Sequence, residues 1–116
     1  MSNTNTTTET GRRKINIIAE KYADAVDSFL KLQIARARVE TKAAKFALFA
    51  SAAADAERVR LSGYAEGARA EAAETAAELA RAARDLIAIA GALEAYGLPA
   101  DPEILRMAST AAAANH

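Results

Sequence analysis

Residues 15–53 read INIIAEKYADAVDSFLKLQIARARVETKAAKFALFASAA. Apolar or aromatic side chains recur there at alternating steps of three and four. The series is Ile15, Ile18, Tyr22, Ala25, Phe29, Leu32, Val39, Ala43, Phe46, Ala50 and Ala53, with Arg36 as its one charged position. This spacing puts them on one stripe of an α-helix, the kind that packs against another helix. Val26, Leu30, Ile34, Leu48 and Phe49 lie beside the stripe. The apolar face is therefore wider than a two-stranded coil uses, which points to a bundle. No Gly or Pro occurs between Arg12 and Ser62, so a first helix over about 13–61 is expected.

Beyond that stretch, Ser62-Gly63-Tyr64-Ala65-Glu66-Gly67 is the first internal turn signal. Gly63 can adopt the left-handed conformation that ends a helix, so a bend is expected at 62–67; the alternative is a weak point inside one very long helix. The Gly63-to-Gly67 spacing matches that of membrane helix dimers, but its surroundings are polar. A second stripe follows: Ala65, Ala68, Ala72, Thr75, Leu79, Ala82, Leu86, Ile89, Leu93 and Tyr96. It predicts a helix over about 65–96. Its first half is mostly alanine and buries little area; the half from Leu86 onward should hold most of the stability. Leu86–Leu93 is apolar around the helix, as for a segment buried on all sides, and Gly91 would permit a close helix crossing.

Gly97, Leu98 and Pro99 form a helix stop. Asp101, Pro102 and Glu103 then read as an N-cap, a proline in the first turn and an acid that suits the helix dipole. A third helix over about 102–112 is expected, with Ile104, Leu105 and Ala108 on its apolar face. The expected fold is all-α: two long amphipathic helices in an antiparallel hairpin plus a short C-terminal helix, in one domain over 12–116. Residues 1–11 are Thr, Asn and Ser with one Glu, and a disordered polar tail is expected there. A turn at Gly63 would make the first helix overhang the second. Ile15, Ile17, Ile18 and Tyr22 would then be exposed unless the third helix folds back on them. A lone hairpin also lacks a second layer for its wide faces, so self-association is expected.

Composition narrows the chemistry. The chain has 116 residues, and 33 of its 60 hydrophobic residues are alanine. Five Gly, two Pro and few β-branched residues exclude a sandwich, barrel or doubly wound sheet. The absence of Cys removes disulfides and thiolate metal sites, and the single His, His116, falls in a terminal run that is expected to fray, so no ligand role is expected of it. There is no Ser/His/Asp set, no Gly-rich phosphate loop and no Glu-x-x-His motif of a helical di-metal site. A non-enzyme without a cofactor is expected. No leader-like apolar run opens the chain, and the longest apolar run, Leu86–Leu93, is too short to span a bilayer. A cytoplasmic location is expected, or a virion if the gene is phage-borne. Arg outnumbers Lys ten to five, which with the alanines suits a GC-rich bacterial or phage coding sequence. In composition the chain resembles alanine-rich helical proteins of phage assemblies, secreted helical hairpins and polyester-granule coats. It lacks the tryptophan-glycine turn of the secreted hairpins.

Net charge is zero, but residues 1–62 carry +4 and residues 63–116 carry −4. Halves of opposite sign attract, within one chain or between copies. Lys31, Arg38 and Lys45 recur every seven residues on the first helix; Glu71, Glu78 and Asp85 do so on the second. Such lines choose partners and orientation. Arg36, on the stripe, either pairs with an acid such as Glu40 or extends its long stem to water. The leading expectation is a helical assembly or adaptor protein that self-associates or docks a protein partner. Ile18, Phe29, Leu32, Phe46, Leu86, Ile89 and Leu93 are its candidate core and interface residues. A second expectation is nucleic-acid binding through Arg12, Arg13 and Lys14 with the Lys31, Arg38 and Lys45 line. A third is an amphipathic coat on a lipid or granule surface.

Overall fold

The computed structural model describes residues 2–114, with side chains from Gly11 onward; His116 lies outside the described residues. The protein is all-α. Helix α1 runs Ser2–Ala52, α2 runs Asp55–Ala95 and α3 runs Pro102–Ala114. The two long helices fold back as an antiparallel hairpin, and α3 packs on α2. The molecule is a rod of 82 × 19 × 18 Å.

The turn is not where glycine would put it. The chain reverses at Ala53–Ala54, and Gly63 and Gly67 lie inside α2. Ala54 is extended (φ −75°, ψ 165°) and caps α2 without a side-chain hydrogen bond. Other groups serve the break. The Arg58 guanidinium donates to the Ala53 carbonyl at 3.1 Å, and Ser51 Oγ donates to the Leu48 carbonyl at 2.7 Å. Asp55 and Glu57 place negative charge in the first turn of α2, where the helix dipole favours it. The physical reason for the shift is register. Reversal at residue 53 sets Phe29 against Leu79 and Leu86, and Ile18 against Leu93. A bend at 63 would slide those large side chains apart. Burying them outweighs the cost of a helix-interior glycine, roughly 1 kcal/mol against alanine.

The shift also brings apolar residues of the expected overhang into the core, although α1, at 51 residues, still runs past α2, at 41. Ile18 and Tyr22 pack in the core, Ile15 is half-buried, and only Ile17 of that group is exposed. At the N-terminus α1 takes in Ser2–Gly11, where a disordered tail was expected. Extending an existing helix adds about one hydrogen bond per residue and avoids the cost of nucleation.

Large side chains gather at one end of the rod. Phe29 and Leu86 are fully buried, joined by Leu79, Ala83, and α3's Ala108 and Ala111. Next to them Ala90, Leu93 and Ala100 form a second cluster with Ile18, Tyr22, Leu98 and Leu105. The connection to α3 follows its turn chemistry. Gly97 takes φ +79°, and the Gly97 and Leu98 amides donate back to Glu94 and Leu93 carbonyls at 2.8 and 3.2 Å. This is the paired bonding of a glycine-terminated helix. The Asp101 carboxylate accepts from the Glu103 amide at 2.9 Å, and the Asp101 amide donates to Tyr22 Oη at 3.0 Å. The second bond ties the α3 N-terminus to α1.

The other end, from about residue 37 through the turn to about residue 75, has two helices only. Its buried seam is Ala43, Ala50, Ala65 and Ala68. Phe46 and Tyr64 meet across it with their rings tilted by 49° and centroids 5.5 Å apart.

Candidate functional site

Interior chemistry is sparse. No polar or charged residue is buried among the described residues, and no described group of His, Cys, Asp or Glu is arranged to hold a metal ion. No described helix is long and apolar enough to cross a membrane. What remains is the surface.

The candidate core residues divide between the two ends. Phe29, Leu86 and Leu93 are buried, and Ile18, Leu32 and Ile89 are half-buried, all in the three-helix end. Phe46 is half-buried in the two-helix end, against Tyr64. These residues pack within one chain. The stretch Leu86–Leu93 is not enclosed all round, because Ile87, Ala88, Gly91 and Ala92 are exposed. At Gly91 a Cβ would meet nothing within 4 Å. The close helix crossing expected there does not occur.

The basic residues do not form one patch. Arg12, Arg13 and Lys14 are exposed. As consecutive residues at about 100° each, they fan around the helix. Lys31 begins about 26 Å further along at 1.5 Å per residue. Its ammonium donates to Asp27 at 2.9 Å. That hydrogen bond, then the attraction of the same carboxylate, raises the Lys31 pKa above the ordinary lysine value against a small opposing desolvation. Arg36 pairs with Glu40 at 2.9 Å and is half-buried. Lys42 reaches Glu71 at 3.9 Å, the one ion pair between helices among the described residues. Arg60–Glu57 and Arg106–Glu103 are local pairs.

Around the two-helix end, large apolar side chains face outward. Ile34, Leu48, Phe49, Val59 and Tyr64 are each more than half exposed. A furrow of about 590 Å³ follows the outer surface of α1, with Ile34 and Phe49 at its ends and Arg38, Lys42 and Lys45 along it. At Lys42 and Phe46 it meets a second hollow of about 340 Å³, which α2 completes with Gly63, Tyr64, Gly67 and Glu71. Sequence reading named Phe46, Arg38 and Lys45 but missed Ile34, Phe49 and Tyr64 as surface residues. Their signal was present, since Ile34 and Phe49 sit off the seam by spacing. Set against known protein families, curated proteins and solved structures, the chain finds no match.

Proposed function

We propose that the chain is a helical assembly module whose work is binding and whose first partner is another copy of itself. One observation carries this reading. The two-helix end has a seam of alanines and leaves Ile34, Leu48, Phe49, Val59 and Tyr64 outside it. A helical hairpin needs a further layer over its apolar faces. Here α3 supplies that layer at one end only, and exposed apolar surface such as the connected hollows lined by Ile34, Phe46, Phe49 and Tyr64 marks interaction sites.

The test is mass in solution. Light scattering after size exclusion should give a multiple of 12.2 kDa at tens of micromolar, falling toward the single-chain mass on dilution. A single-chain mass at every concentration would overturn the reading.

A further inference from the structure

We propose that two copies pair side by side and parallel through the hairpin face that α3 leaves open, the basic row of each lying on the acidic row of the other. The proposal rests on self-association as the function and adds which surface does it.

The two rows occupy one side of the hairpin. A seven-residue step turns a straight helix by only about −20°, so Glu71, Glu78 and Asp85 form a line on α2. At about 100° per residue, Glu78 lies roughly 140° around α2 from Ala83, which packs with α3's Ala108 and Ala111. The acidic line therefore faces away from α3. Lys31, Arg38 and Lys45 form the matching line on α1. Lys42, next to that line, reaches Glu71, which places the basic line and the acidic line on the same side. The antiparallel register brings them to the same height. With Lys42 level with Glu71, Glu78 is level with residue 35 and Asp85 with residue 28.

The rows are close but not joined. Lys31 is held by Asp27 within its own helix, and the Lys42–Glu71 pair is long and more than half exposed on both sides. Between and beside the rows lie the exposed Ile34, Phe49 and Tyr64. Gly63 and Gly67 keep the α2 side shallow, with open space where side chains would stand.

Charge identifies the occupant. A surface with one basic and one acidic row would set an acidic or a basic partner against one like-charged row. A second copy, turned about a two-fold axis along the rod, sets basic on acidic twice in an isologous contact. A two-fold across the rod would set basic on basic. The face is about 27 Å long from Lys31 to Phe49 and, for two helices each about 10 Å across, about 20 Å wide. That is near the lower limit of about 1,000 Å² in total for a specific interface, so the dimer should dissociate readily on dilution.

Reversal of the rows tests this. One variant carries Lys31→Glu, Arg38→Glu and Lys45→Glu; the other carries Glu71→Lys, Glu78→Lys and Asp85→Lys. Each alone should dimerise at least tenfold more weakly than the native chain, and an equimolar mixture should recover the dimer mass. Native-like dimerisation of either variant alone, or no recovery on mixing, would overturn this surface while leaving self-association intact. A native chain that never dimerises would overturn both. If reversal lowers helix content, Phe49→Ser replaces it: loss of the dimer with helix content unchanged supports the surface, and a dimer of unchanged affinity overturns it.

Discussion

Alanine at Gly63 and alanine at Gly97 should move stability in opposite directions. Gly63 is a helical residue with open space around its missing Cβ. Gly63→Ala should therefore stabilise the chain by about 0.5–1 kcal/mol. Gly97 holds φ +79°, where an L side chain is strained, so Gly97→Ala should cost about 1–2 kcal/mol. Paired urea melts measure both, and a destabilising Gly63→Ala would return the turn to residue 63. Phe29 is fully buried among all three helices. Phe29→Ala should cost about 3–5 kcal/mol, seen as a lower melting midpoint in the same assay. The polar residue Asp101 acts through its carboxylate, which accepts from the Glu103 amide. Asp101→Ala should cost about 1 kcal/mol, read in the thermal melt.

At the scale of elements, legibility followed the range of the forces involved. The two stripes were readable because helical periodicity is local. Their positions are buried or half-buried in the structure, apart from Tyr96 at the end of α2. The stop at Gly97 and the start at Asp101 were readable for the same reason, since both are satisfied within a few residues. The reversal at Ala53–Ala54 was not. No residue there breaks a helix on its own, and its position is chosen by distant pairs such as Phe29 with Leu86 and Ile18 with Leu93. Local traces were present in Ser51, Asp55 and Glu57, but a glycine ten residues later was the louder signal. The charge lines were legible as lines. Which side of the hairpin they share needed the Lys42–Glu71 contact.

For the whole molecule, shape is the sharpest observable. The radius of gyration is 21.2 Å, whereas a compact chain of this length would have about 13 Å. Parallel side-by-side pairing should double the mass while the longest dimension stays near 82 Å. End-to-end pairing would lengthen it, and X-ray scattering distinguishes the two. The concentration of bulky residues at one end has a further consequence, in time. Amide protons near Ala83–Ala90, beneath three helices, should exchange with solvent slowest. Among the paired stretches of α1 and α2, those flanking the Ala53–Ala54 reversal, held by alanine contacts, should exchange fastest. A lone copy would open from its turn like a clasp, and a protease should cut it there first.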